Sequence, residues 1–298
     1  AAMADELSRA SAENATLDEE LSELKSRLAE KRRAENDAKN SRLSETYIPD
    51  WSIAEAFREL YQNVSDAVLA AAIAQGKGLR HVKTRLQEAS DMCTLDFELG
   101  GRGIARIQYI MEHGTLIFRN EGVVDKTSLA LGGTSRRDSG NPQMIGRHGE
   151  GLKLAALVLL RNSKPMRLET GSMSVAFELS ADDVSEQRTL HFRLLDLKVP
   201  TTETSVIVEN ISIDEFEKVR ATIALFRNIS SDHMVLATDW KKGALLLGPD
   251  EKRLVFVNNV LVKNMKTVSG FGINLTNVRL DRDRKSFSEI DCGGAEWR

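Results

Sequence analysis

Phe57-Arg-Glu-Leu-Tyr-Gln-Asn63-Val-Ser-Asp-Ala67 is the stretch on which the reading of this chain turns. Set out at about 100° per residue, Phe57, Tyr61, Val64, Val68 and Ala71 line one side of a helix, while Glu59, Asn63 and Asp66 gather on the other. The apolar stripe predicts a core-facing helix. Upstream, Tyr47-Ile-Pro-Asp-Trp51 closes a charged stretch and Ser52-Ile-Ala-Glu55 reads as a capping box; downstream, Gly76 and Gly78 stop the pattern, so the helix is expected to end near Ala74. The polar trio admits two readings. Glu, Asn and Asp at these spacings most often form a solvated face, yet Asn and Asp are poor helix formers that a plain surface would avoid. A carboxylate and an amide oxygen one turn apart can also orient a water and hold one position of a hard cation.

Outward from this helix, Cys93 to Leu99, Ile104 to Met111 and Thr115 to Arg119 read as an antiparallel meander, separated by Gly100-Gly101 and His113-Gly114. A second helix is predicted at about Leu152 to Arg161. Strands are predicted next around Met166 to Glu169, Met173 to Leu179, Thr189 to Leu197 and Ser205 to Val208. This order predicts an α/β sandwich with a mainly antiparallel sheet. Beyond Ile213 a helix to about Phe226 and short strands at Ala244 to Leu247 and Leu254 to Val257 are expected, with a soft boundary near 210.

Between the meander and the second helix the glycines crowd: seven of the twenty lie from Gly122 to Gly151. They punctuate Asn120-Glu-Gly122, Gly132-Gly-Thr-Ser-Arg-Arg137 and Gly146-Arg-His-Gly-Glu-Gly-Leu-Lys153. Glycines before a helix expose backbone N–H groups and let an anion come close, with Arg136, Arg137, Arg147 and Lys153 adding positive charge. No GxxxxGK[ST] loop is present and the glycine spacing does not fit a dinucleotide fingerprint. A polar loop without a ligand is the alternative.

Residues 1 to 46 stand apart, with 19 charged side chains and no Gly, Pro or aromatic residue. Leu17, Leu21, Leu24 and Leu28 form an a/d seam of barely two heptads, which predicts a charged helical arm or short coiled coil. Across the whole chain 41 Lys+Arg meet 44 Asp+Glu for a net charge of -3, so no global basic field indicates nucleic acid binding. The longest apolar run, Leu154 to Leu160, is far short of the ~20 residues of a membrane span, and a soluble, intracellular protein, cytoplasmic or nuclear, is expected. Two cysteines, Cys93 and Cys292, and five scattered histidines make neither a disulfide framework nor a metal set.

The polar helix and the glycine clusters together resemble the GHKL superfamily of Bergerat-fold ATPases. Phe57 to Ala67 is similar to its first motif, Asn120-Glu-Gly122 falls where DxG would stand, Gly132 to Arg136 resembles the start of the ATP lid, Gly146 to Lys153 its closing glycine box, and Glu203-Thr-Ser-Val-Ile-Val208 the last motif. The order covers about residues 50 to 210 and looks like a chaperone-like or MORC-like branch. The resemblance implies a two-layer α/β sandwich of the Bergerat type at 47–210, preceded by the arm at 1–46 and followed by a partial α+β segment at 211–298.

It also implies roles. Glu59 would be the general base, Asn63 the ligand of Mg²⁺, and Asp66 a support one turn away. Gly122 would let the backbone approach adenine, and Thr204 would reach it through a water. Thr134 and Ser135, with Arg136, Arg137 and Lys153, would meet the phosphates, which Gly146, Gly149 and Gly151 would wrap. Asn120 replaces the family's Asp, and its amide accepts more weakly but also donates. ATP, Mg²⁺ and a homodimer are the implied cofactors and partner, with an unknown protein client. Binding with slow hydrolysis, coupled to lid closure as a conformational clamp, is the first expectation. A nucleotide- or protein-binding scaffold without turnover is the second. A histidine kinase is disfavoured, as no phospho-acceptor His helix precedes the module. Arg282 and Arg284 within Leu280-Asp-Arg-Asp-Arg-Lys285 stand as phosphate sensors or as partners of Asp281 and Asp283, and the chain is expected to continue in a longer protein.

Overall fold

The computed structural model describes residues 39–124, 150–182, 185–227, 234–236, 243–247, 250, 252–264 and 271–275, together with Leu17, Glu20, Leu21, Leu24 and Lys25 in the arm. Nine strands make one sheet: β1 (Lys39–Ser44), β2 (Val82–Glu88), β3 (Met92–Leu99), β4 (Arg102–Ile110), β5 (Thr115–Glu121), β6 (Met166–Thr170), β7 (Met173–Asp182), β8 (Ser185–Asp196) and β9 (Glu203–Val208). Their order is β1-β8-β7-β6-β9-β5-β4-β3-β2, with every neighbouring pair antiparallel. A second, five-stranded sheet is built from β10 (Met234–Leu236), β11 (Gly243–Leu246), β12 (Leu254–Val257), β13 (Val260–Asn264) and β14 (Gly272–Leu275), with β12 and β14 parallel. Three helices outside the arm, α1 (Ile53–Ala74), α2 (Gly151–Arg161) and α3 (Ile213–Ala221), complete the described part of a mixed α/β chain dominated by a large, mostly antiparallel sheet.

The alternation that predicts the strands also builds the core. On β3, Cys93, Leu95, Phe97 and Leu99 are all buried, and they share one cluster with Phe57, Tyr61, Val64 and Val68 of α1 and Ala155, Val158 and Leu159 of α2. Burying each large side chain contributes about 1.5–3 kcal/mol. Phe57 stacks on Phe118 of β5 with ring centroids 5.9 Å apart, so α1 is locked onto the strand that leads to Asn120. The capping box at its start is present, since Ser52 Oγ accepts from Ala54 N–H (3.2 Å) and Glu55 Oε2 accepts from Ser52 N–H (2.8 Å).

Four features depart from the sequence reading. The arm does not run to residue 46 as a helix: Lys39–Ser44 is a strand beside β8, with Ser41 Oγ donating to Leu190 O (2.7 Å) and Leu43 in the core. A six-residue strand in a charged setting leaves too little alternation to see. Arg161 then pins the segment between β1 and α1, donating to the carbonyls of Glu45 (3.2 Å), Tyr47 (3.3 Å), Ile48 (3.4 Å) and Trp51 (2.8 Å). Strand β2 escapes the periodic pattern because its Lys83, Thr84 and Arg85 are exposed at the sheet edge, where charges discourage further pairing.

The last helix ends at Ala221, short of Phe226, because Ile223 leaves it to bridge Val260. The boundary near 210 falls within the core: Phe216, Val219, Ile223, Phe226 and Val260 all belong to the main cluster, and Phe216 stacks on Tyr109 at 4.2 Å. In the arm, Leu17, Leu21 and Leu24 are helical and exposed. Among the described residues no helix is long and apolar enough to cross a membrane.

Candidate functional site

Helix α1 buries charge. Glu59, Gln62 and Asp66, and Lys153 of α2, are each at most 3% exposed, and Arg58 is also buried. Asn63 is half-buried. A solvated face therefore does not describe Glu59 or Asp66. Taking carboxylates and cations out of water costs several kcal/mol per ion unless they are compensated, so such a cluster marks a site or a structural ion network. Burial holds the Lys153 ammonium below its usual range, while the charge of Glu150 pulls it partly back.

Two sequence-distant motifs meet here. A Cβ built on Gly151, the first residue of α2, would lie 2.5 Å from Oε2 of Glu59. Only a glycine admits the carboxylate at that distance, so the residue expected to wrap phosphate is also the one against which Glu59 rests. The position places a negative charge at the positive end of α2, a favourable arrangement. Glu150, the N-cap residue, makes no side-chain cap of its own.

Beside α1, three strands form a hydroxyl relay. Thr204 of β9 stands opposite both Asn120 of β5 and Thr170 of β6. Thr204 Oγ1 donates to the carbonyl of Gly122 (2.8 Å), which accepts only. Its single proton is thus used, and Thr170, 2.8 Å away, must donate to Thr204 while accepting from Val124 N–H (2.9 Å). Gly122 N–H donates to Thr202 O (3.1 Å) and its φ of +96° is one that glycine adopts without strain. A Cβ there would meet nothing within 4 Å, so the backbone angle, not crowding, calls for glycine. Asn120, half-buried, gives one amide proton to Glu121 O (2.8 Å), which leaves Oδ1 and the second N–H to meet other groups.

The structure brings Glu59 against Gly151 and joins Thr204 to Gly122, while Asp66 and Lys153 are buried on the same two helices. Thr134, Ser135, Arg136, Arg137, Gly146 and Gly149 lie outside the described residues, as do Arg282 and Arg284. Sequence reasoning missed Thr170, which no periodic signal distinguishes from an ordinary strand residue. It also missed Arg58 and Gln62, whose burial depends on what packs over α1. Among the described residues no three of His, Cys, Asp and Glu gather as a metal-ligand set. Compared with protein-family models and with curated proteins, the chain matches none.

Proposed function

We propose that the chain is a Mg²⁺-dependent ATP-binding module of the GHKL type, a two-layer Bergerat sandwich that hydrolyses ATP slowly and couples nucleotide to lid closure and homodimerisation. The observation that carries this reading is the contact between Glu59 and Gly151, because it joins the polar helix to the glycine box. Buried charge on both helices and the hydroxyl relay at Gly122 support it further. The half-buried Asn63, one turn from Glu59, offers an amide oxygen of the kind that suits a hard cation.

In this reading Glu59 takes the proton of the attacking water, and Asp66 supports the polar face from the next turn. Asn63 would hold Mg²⁺, which supplies charge neutralisation for the phosphates. Lys153 faces the polyphosphate. Asn120 Oδ1 accepts the amino proton of adenine, and Gly122 and Thr204 line the base.

Calorimetric titration of ATP with Mg²⁺ and assay of phosphate release test the reading on the wild type, Glu59→Ala and Asn63→Ala. Binding that survives Glu59→Ala while phosphate release vanishes is expected. No ATP binding by the wild type overturns the proposal, and equal, near-zero turnover in wild type and Glu59→Ala leaves binding without catalysis.

A further inference from the structure

Among the described residues, Gln62 is a buried side chain of α1 whose polar atoms have nothing to meet. It is 1% exposed, and neither Oε1 nor Nε2 has a hydrogen-bond partner there. Nor is it a residue of the apolar stripe: it stands one turn from both Glu59 and Asp66, at the edge of the polar face of α1. An unmade pair of buried amide bonds is costly, and a same-sized Met or Leu would fill the position without that cost. A buried glutamine left unpaired by the described residues is therefore an indication of a group still to be supplied, which a ligand can provide.

The chemistry of the amide narrows that group. Nε2 only donates and Oε1 only accepts. A polyphosphate near neutral pH offers acceptors to the first and nothing to the second, whereas a water beside it supplies the proton Oε1 needs. Both halves of the amide are satisfied where a phosphoryl oxygen and a water lie side by side, which is the arrangement that hydrolysis requires, and a glutamine can orient an attacking water in phosphoryl transfer.

We propose that Gln62 contacts the ligand of this site, donating through Nε2 to an oxygen of the bound polyphosphate and accepting through Oε1 from the water next to Glu59. This inference rests on the nucleotide reading and assigns to Gln62 the orientation of the water that Glu59 deprotonates.

Gln62→Met and Gln62→Leu keep the volume and remove both polar groups. Melting of the nucleotide-free proteins establishes that they fold and is expected to be unchanged or raised. Titration with ATP–Mg²⁺ is expected to show affinity weakened by about 10- to 100-fold, the loss of a hydrogen bond to a charged group. Wild-type affinity in both variants overturns the role of Gln62 and leaves the nucleotide reading standing, including where the melting point falls and Gln62 serves only the fold. Absence of ATP binding by the wild type overturns both.

Discussion

The hydroxyls of Thr170 and Thr204 lie 2.8 Å apart on paired strands, and only one proton order satisfies their neighbours: Val124 N–H to Thr170, Thr170 to Thr204, Thr204 to the carbonyl of Gly122. Strands β6 and β9 thereby hold the turn after β5, the strand that carries Asn120. Both threonines are buried, so the relay operates out of water, where an unmade bond is most expensive.

Thr204→Val should therefore cost about 1–3 kcal/mol, because it strands the Gly122 carbonyl and the Thr170 hydroxyl. Thr204→Ser should cost much less. Urea unfolding compares them, and a double-mutant cycle with Thr170→Val should show strong coupling. Additive effects would mean that the two hydroxyls do not act as a chain.

Gly151→Ala places a methyl group on the carboxylate of Glu59, with 2.5 Å available. Gly151 is half-buried and the contact is with the end of a side chain, so a cost of about 1 kcal/mol is expected, the low end of overpacking. Trimming the carboxylate in the same protein, as Gly151→Ala with Glu59→Ala, should recover part of that loss. Thermal melts of the single and double variants measure it, and a Gly151→Ala protein as stable as the wild type would show that the Glu59 carboxylate swings aside freely.

Arg161→Met breaks four bonds from one guanidinium to the carbonyls of residues 45, 47, 48 and 51. A loss of about 1.5–3 kcal/mol is expected, in the range of hydrogen bonds to charged groups. Amide hydrogen exchange should quicken across residues 45 to 51 and in β1. Unchanged exchange there would show that the strand is held by its pairing with β8 alone.

Tyr61→Phe tests how the second sheet is held. The buried Tyr61 hydroxyl bonds to Asn259, whose own Oδ1 accepts from Asn274 Nδ2 (2.8 Å), and burial pushes the phenol above its usual range. Removing the hydroxyl should cost about 1 kcal/mol and loosen the turn between β12 and β13. Exchange of the Asn258 to Leu261 amides, compared before and after the change, reads the effect.

Acid should weaken both capping boxes. Burial raises the Glu55 carboxyl, but hydrogen bonds from the Ser52 side chain and backbone outweigh it and leave the group below its usual value. Glu215 is likewise raised by burial and lowered further by Lys164 at 2.7 Å and by Ser212. A carboxyl depressed in the folded state adds stability above its unfolded pKa of about 4.5 and loses it as pH falls through the folded value. Glu55→Gln and Glu215→Gln should flatten the loss of stability below about pH 4.5, which urea midpoints across the acid range would report.

The helix of Glu59, the meander, the second helix and most strands of the large sheet were legible because their apolar residues recur at 3.6 or 2, a period set by local backbone geometry. The polar face of α1 and the glycine-rich approach to α2 were legible for the same reason, as residue types at fixed spacings. Whether that face met water was not, since Glu59, Gln62 and Asp66 are buried by elements far away in sequence. Only the tertiary structure decided that Gly151 makes room for Glu59, that Thr170 stands behind Thr204, and that Lys39–Ser44 joins the sheet instead of extending the arm. Each depends on a partner many residues distant, and local sequence encodes the geometry of an element but not the surface it will meet.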